Sequence, residues 1–180
     1  MKVFLDACVL FPTVMREVLI GAAGNGFYQP FWSPRVLEEW SRAADKHGVG
    51  SIAGAEIALL SDRWPSSNVL PKPSDEARLV LPDPNDVHVL ASAIAASADI
   101  LVTVNAKDFP RHSLSEEGIS RQDPDALLLA FYREDPKKMR DVVDRVHQTA
   151  AMDPTMTLTA SGLIKKARLP RLAKALRTDL

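Results

Sequence analysis

The chain has 180 residues, of which 46% are hydrophobic and 25% charged; this composition suits one folded domain with a small appendage and excludes disorder as a global description. The net charge of −1 excludes a uniformly basic nucleic-acid-binding protein but not a local basic patch. We expect no membrane span, because no apolar run reaches roughly 18 residues. We also expect a cytoplasmic protein, because Asp6 interrupts the segment that a signal peptide would need and the single cysteine, Cys8, cannot form an internal disulfide.

Short strands and helices are expected to alternate through the first half of the chain. Residues 2–5 predict a buried strand that stops at Asp6. Ser33 followed by Pro34 is a helix-start signal, a capping hydroxyl and then proline in the first turn, and this helix should run to about residue 46. The other expected segments are a helix over 13–23, a loop over 48–54, a helix over 55–63 and a connection over 65–75.

The segment "LPDPND" predicts the start of a helix that continues to about residue 98. Asp83 is a suitable N-cap, Pro84 fits the first turn, and Asp86 falls at the third helical position. The helix is apolar on nearly every side and should be buried. A wholly apolar strand is expected next, over 100–104. Apolar strands that alternate with helices predict an α/β fold with a parallel sheet covered on both faces.

The character of the chain changes after residue 110. Helices are expected where an aspartate precedes a proline, at positions 123, 135 and 153. The last segment is basic and carries Lys165, Lys166, Arg168, Arg171, Lys174 and Arg177 against a single acid, Asp179. It could guide RNA or dock an acidic partner, and a solvated helix face is an equally good interpretation. We therefore predict two domains, 1–122 and 123–180.

Acids are expected to gather at one edge of this sheet. Sites in open parallel sheets form beyond the carboxyl ends of the strands, and Asp6 follows the first strand while Asn105 and Asp108 follow the second. Asp86 lies in the first turn of the intervening helix. Each acid has a structural interpretation as well, since Asp86 suits a helix dipole and Asp108 a turn. Together they would repel one another unless a hard divalent cation lay between them.

Glu39 is expected to join these acids on geometric grounds. At about 100° per residue, the apolar side chains of its helix place Glu38 almost opposite the buried face. Glu39 falls on the border of that face, where a carboxylate can reach a cleft. His88, one turn into the next buried helix, could face the same cleft, but a packed or surface histidine is the favoured interpretation.

Four segments resemble PIN-domain ribonucleases, the fold of the VapC toxins of bacterial toxin–antitoxin pairs. They are "FLDACVLFP", "SPRVLEEW", "LPDPNDVHVLASAIAASADILVT" and "NAKDFP". The resemblance covers roughly residues 2–120 and implies a three-layer, Rossmann-like α/β fold with a central parallel sheet. The remaining chain resembles the helical C-terminal extension of longer VapC-type toxins.

The resemblance also implies a function. The quartet Asp6, Glu39, Asp86 and Asp108 would hold Mg²⁺ or Mn²⁺ and hydrolyse RNA phosphodiester bonds, and the implied partners are RNA, an antitoxin protein and a second copy of the chain. Two departures matter, because many relatives have Asp in place of Asn105 and Asn in place of Cys8. Asn105 would then be a neutral auxiliary residue that offers its carbonyl oxygen to water or to the ion. Cys8 would cost the site a polar neighbour. The alternative is a PIN-fold module that binds RNA or protein without useful catalysis.

Overall fold

The computed structural model describes residues 1–178, so Asp179 and Leu180 lie outside the described residues. The strands are β1 (Lys2–Leu5), β2 (Gln29–Phe31), β3 (Ile100–Val102) and β4 (Ser120–Gln122). The helices are α1 (Ala7–Leu10), α2 (Thr13–Gly24), α3 (Pro34–Lys46), α4 (Gly50–Arg63), α5 (Pro73–Arg78), α6 (Val87–Ala95), α7 (Arg111–Glu116), α8 (Pro124–Glu134), α9 (Pro136–Ala150), α10 (Ala160–Lys166) and α11 (Pro170–Thr178). A 3₁₀ turn, Pro84–Asp86, precedes α6.

The four strands form one parallel sheet in the order β2-β1-β3-β4. Phe4 of β1 pairs with Phe31 on one side and Leu101 on the other, and the central strands β1 and β3 are buried. This confirms the predicted α/β fold. Because all strands are parallel, their carboxyl ends lie at the same edge of the sheet, where the chain places its acids.

The chain divides into two compact units. The first consists of Met1–Phe11 and Gln29–Gln122 and holds the sheet with α1 and α3 to α7. The second consists of Pro12–Tyr28 and the chain from Asp123 onward, and it contains α2 and α8 to α11. The predicted domains 1–122 and 123–180 stay a prediction, but α2 groups here with the later helices.

The helices of the second unit pack around α2, which contacts α8, α9 and α10. The ring of Phe131 stacks on those of Phe27 and Tyr28, with ring centroids 5.0 and 5.6 Å apart. The Tyr28 hydroxyl donates to the carbonyl of Leu19. Within residues 1–178, no helix combines the length and the apolar character needed to cross a bilayer.

Several predicted boundaries were wrong, each for a local reason. The helix α4 begins at Gly50, so Gly54 lies inside it and not in a loop. The expected long helix after Asp83 is a 3₁₀ turn followed by α6, which ends at Ala95. Asp153 does not begin a helix, because its carboxylate accepts from the backbone and hydroxyl of Thr155 and closes a local turn instead. The next helix, α10, starts only after Thr159.

Candidate metal centre

Three aspartates lie close together at the carboxyl edge of the sheet. One carboxylate oxygen from each of Asp83, Asp86 and Asp108 lies within 4.8 Å of the others, and all three side chains are partly buried. Asp86 ends the 3₁₀ turn before α6, and Asp108 lies in the loop after β3. Carboxylate oxygens are the ligands that Mg²⁺ and Mn²⁺ prefer. The cluster can therefore hold a divalent ion.

Asp83 has two roles in this arrangement. Its carboxylate accepts from the backbone nitrogen of Asn85 at 2.9 Å and from the side-chain Nδ2 of Asn85 at 3.0 Å. This confirms Asp83 as the predicted N-cap. The sequence did not place it in the acid cluster, because an N-cap aspartate before a proline already has a sufficient structural explanation.

The pKa of Asp86 shows how much negative charge gathers here. Burial, followed by the charges of Asp6, Asp83, Asp108 and Glu39, raises this pKa from 3.8 to about 6. All four acids of the predicted quartet are thus close enough to interact electrostatically, with Asp83 as a fifth. Such an excess of charge fits a site for a hard cation, which would relieve the repulsion.

Asp6 is the buried member of the group, and hydrogen bonds hold its carboxylate. The Thr103 hydroxyl donates to Asp6 Oδ2 at 2.6 Å, and the backbone nitrogen of Asn105 donates to the same hydroxyl at 3.0 Å. The end of β1 is thereby linked to the residues that follow β3. Thr103 was not identified from the sequence, because its partner lies 97 residues away.

Cys8 keeps a polar contact with the site. Its thiol donates to Asp6 Oδ2 at 3.0 Å and lies 3.3 Å from the Thr103 hydroxyl. Burial, and then the charge of Asp6, raise the pKa of Cys8 to about 12, so the thiol stays protonated near neutral pH. Cys8 was expected to cost the site a polar neighbour, but its thiol supplies a weak donor to Asp6.

Asn105 lies beside Asp86. Its Nδ2 donates to Asp86 Oδ2 at 3.2 Å. The expected auxiliary role used the carbonyl oxygen of Asn105 as a ligand to the ion or to water, whereas the structure turns the amide nitrogen toward the carboxylate. An aspartate at this position would add another charge to the group that already raises the pKa of Asp86.

Glu39 lies where the helical geometry of α3 predicts. Its side chain is 32% exposed, against 56% for that of Glu38. The buried His88 of α6 places its Nε2 2.8 Å from Glu39 Oε1, and Arg35 Nε lies 3.6 Å from the same oxygen. His88 is therefore both packed and in contact with a predicted ligand. The sequence signal was a single histidine on a helix that is otherwise apolar on nearly every side.

Arg121 fixes the loop that carries Asp108. From β4, its Nη1 donates to the carbonyl oxygens of Ala106 at 2.5 Å and Phe109 at 2.6 Å. Lys107, in the same loop, is exposed, with its Nζ 3.8 Å from Asp108 Oδ2. Arg121 could not be identified from the sequence, because β4 was not predicted.

The basic residues predicted near the end of the chain lie in the second unit. Those of α10, α11 and the intervening turn are all exposed: Lys165, Lys166, Arg168, Arg171, Lys174 and Arg177. The neighbouring acid of the sequence prediction, Asp179, lies outside the described residues.

The chain matches the PIN domain family over residues 2–107, more than half of its length. It therefore belongs to the PIN domain family, whose members are typically metal-dependent nucleases. The matched range includes Asp6, Glu39, Asp86 and Asn105 and ends one residue before Asp108. No curated protein matches the chain, and no solved structure does.

Proposed function

We propose that this protein is a divalent-metal-dependent ribonuclease. The observation that carries the proposal is the charge around Asp86, where burial and then the charges of four other acids, Asp6, Asp83, Asp108 and Glu39, raise the pKa of this carboxyl to about 6. Asp6, Glu39, Asp86 and Asp108 are the proposed metal ligands and catalytic residues, with Mg²⁺ or Mn²⁺ as the ion. Asp83, which shares the cluster with Asp86 and Asp108, is an additional candidate ligand.

The neighbouring residues orient these carboxylates. Thr103 and Cys8 donate to Asp6, His88 contacts Glu39, and Asn105 donates to Asp86. Such contacts hold ligands in place before an ion binds, and their loss typically lowers metal affinity about 10- to 100-fold. A bound divalent ion would supply Lewis acidity, both to activate water as the nucleophile and to offset the charge that develops on the phosphate. RNA as the substrate, and a 5′-phosphate on the product, follow from the resemblance to VapC-type proteins.

Cleavage of a pool of RNAs in Mg²⁺ or Mn²⁺ tests the proposal. The wild-type protein should cut, while Asp6→Asn and Asp86→Asn should each lose at least about 100-fold in rate, because each removes a charged ligand. Asp62→Asn, an exposed acid of α4, is the matched control and should cut normally. Cleavage that survives both ligand substitutions would contradict the mechanism. Metal binding without cleavage would favour the RNA- or protein-binding module instead.

We also propose that the protein is the toxin of a type II toxin–antitoxin pair, with a cognate antitoxin as partner. This role is supported by the sequence resemblance and by the family. Expression of the protein in bacteria should arrest growth, and the Asp86→Asn variant, expressed to the same level, should not. Growth arrest that persists in the variant would show that any toxicity is independent of the acid cluster.

A further inference from the structure

A groove of about 500 Å³ lies beside Glu39 in the unit that holds the sheet. Pro34 and Arg35, at the start of α3, line it together with Leu70 and Pro71 from the segment after α4. His88 lines it too, and His88 Nε2 lies 2.8 Å from Glu39. The groove therefore adjoins Glu39, one of the proposed metal ligands.

The apolar side of the groove is held in place by backbone hydrogen bonds. The nitrogen of Trp32 donates to the carbonyl of Ser67 at 3.0 Å, and the nitrogen of Val69 donates to the carbonyl of Trp32 at 2.9 Å. Leu70 and Pro71 follow directly. Leu70 is 73% exposed, although the residue before it is hydrogen-bonded to the backbone of Trp32. A large apolar side chain displayed on an ordered segment beside a reactive centre is a feature of binding surfaces.

The charges of the groove favour a neutral occupant over a phosphate. Arg35 is the cation among its lining residues, and Glu38 and Glu76 are acids; Arg42, outside the lining, is paired with Glu38. A phosphodiester here would meet the carboxylates of Glu38 and Glu76 beside the guanidinium of Arg35. A neutral group with N–H donors fits better, because carboxylates accept from exocyclic amino groups of bases. Apolar surface and a guanidinium plane both suit the flat face of an unpaired base.

We propose that this groove binds one unpaired nucleobase of the RNA substrate and favours bases that carry an exocyclic amino group over uracil. A groove of this volume is of the size that takes a single small-molecule group. The inference rests on the proposed ribonuclease function, since RNA is taken as the substrate. It extends that function by assigning base selectivity to residues outside the acid cluster.

Binding of short labelled oligo(C), oligo(A) and oligo(U) RNAs, followed by fluorescence anisotropy in Mg²⁺, tests the proposal. The full-length Asp86→Asn variant serves as the background, so that cleavage does not disturb the titration. Oligo(C) and oligo(A) should bind about 5- to 10-fold more tightly than oligo(U). Adding Leu70→Ser should weaken binding of all three, and adding Glu76→Ala should reduce the preference for the amino-bearing bases.

Two matched controls separate the groove from general surface changes. Val80→Ser alters an apolar side chain as exposed as Leu70, 84% against 73%, and Val80 does not line the groove. Glu116→Ala removes an exposed acid from α7. Both should leave affinity and base preference unchanged. Equal affinity for the three RNAs, or a preference that Leu70→Ser and Glu76→Ala leave intact, would overturn the proposal.

Cleavage by the wild-type protein, measured in parallel on the same RNAs, distinguishes failure of the groove from failure of the nuclease. Base-selective binding that depends on Leu70 and Glu76, without any cleavage, would support the groove and contradict the nuclease. Cleavage at equal rates on all three RNAs, unaffected by the groove substitutions, would contradict the groove and leave the nuclease standing.

Discussion

Asp86 and Asp125 are both withdrawn from solvent, but their surroundings are opposite. Asp125 of α8 is buried and accepts backbone N–H groups from Arg171 at 2.8 Å and Leu172 at 3.0 Å, at the start of α11. Unpaired N–H groups and the helix dipole stabilise a carboxylate there. Asp86 accepts from Asn105 Nδ2 at 3.2 Å, but it also has four other acids around it. The charge of Asp125 is compensated by donors inside the protein, whereas the charge gathered at Asp86 would be offset by a bound cation.

The largest effect on stability should follow removal of Asp125, the acid whose carboxylate accepts hydrogen bonds inside the protein. Asp125→Ala leaves the backbone N–H groups of Arg171 and Leu172 without their acceptor, and Leu172 is buried. We expect the free energy of unfolding to fall by about 2–3 kcal/mol, as for other hydrogen bonds to charged groups. Urea denaturation monitored by circular dichroism measures it.

Asp144→Ala is the matched control for this substitution. Asp144 is exposed on α9, and its removal should change stability by less than about 0.5 kcal/mol. Mg²⁺ affinity should be unchanged in both variants while they are folded, because every proposed ligand lies in the first unit. A stable Asp125→Ala variant would show that water satisfies the start of α11 without help.

The same contrast explains how much of the fold was predictable. The buried strands β1 and β3 are apolar runs, and Ser33, Asp123 and Asp135 each accept a backbone N–H at the start of the predicted helix. These signals are local. The strands β2 and β4 were missed because each has only 3 residues, one with a central proline and the other wholly polar. Short edge strands owe their conformation to the neighbouring strand.

The residues of the candidate site also differ in whether a local sequence signal predicted them. Asp6, Asp86 and Asp108 could be anticipated because they follow or precede strong local elements, and Glu39 because helical periodicity gave its direction. The contacts of Thr103 and Arg121 depend on residues distant in sequence, for which one sequence carries no signal, and the sequence indicated His88 only as one possible side chain of the cleft without its contact to Glu39. The metal-ligand roles themselves stay a prediction that the cleavage assay tests.

The next effect is a loss of metal affinity when the side chain beside Glu39 is replaced. His88→Leu removes the imidazole beside Glu39 while keeping an apolar side chain in the buried position. We expect Mn²⁺ affinity, measured by isothermal titration calorimetry, to fall about tenfold, the usual effect of losing a contact to a ligand. His88→Gln, whose amide nitrogen can donate to Glu39, should retain most of the affinity.

His112→Gln is the control, since His112 is exposed on α7. If His88→Leu and His88→Gln weaken metal binding equally, the imidazole acts by packing and not by positioning Glu39. Metal binding at the acid cluster would then not depend on how His88 orients Glu39.

The smallest effect is that of Asp86→Asn, which should raise the free energy of unfolding, whereas Asp125→Ala should lower it. The pKa of Asp86 is about 6 in the folded protein, against the ordinary value of 3.8. Ionisation of Asp86 therefore destabilises the metal-free folded protein as the pH rises from about 4 to above 6. Asp86→Asn should therefore stabilise the protein in EDTA at pH 8, by about 1 kcal/mol after allowing for partial exposure to solvent. The advantage should shrink as the pH falls through 6 toward 4, because the wild-type carboxyl then takes up a proton. Thermal unfolding at both ends of this range measures it.

Adding Mg²⁺ to the same unfolding experiment turns this small difference into a test of the whole comparison. An ion that binds only the folded protein stabilises it in proportion to its occupancy, so the wild type should gain stability and Asp86→Asn should gain little. The order of the two proteins should then reverse between EDTA and saturating Mg²⁺. Asp62→Asn, on the exposed face of α4, should follow the wild type in both conditions. If Asp86→Asn is already the less stable protein in EDTA at pH 8, then Asp86 has enough internal partners, as Asp125 does, and the charge argument for a metal there fails.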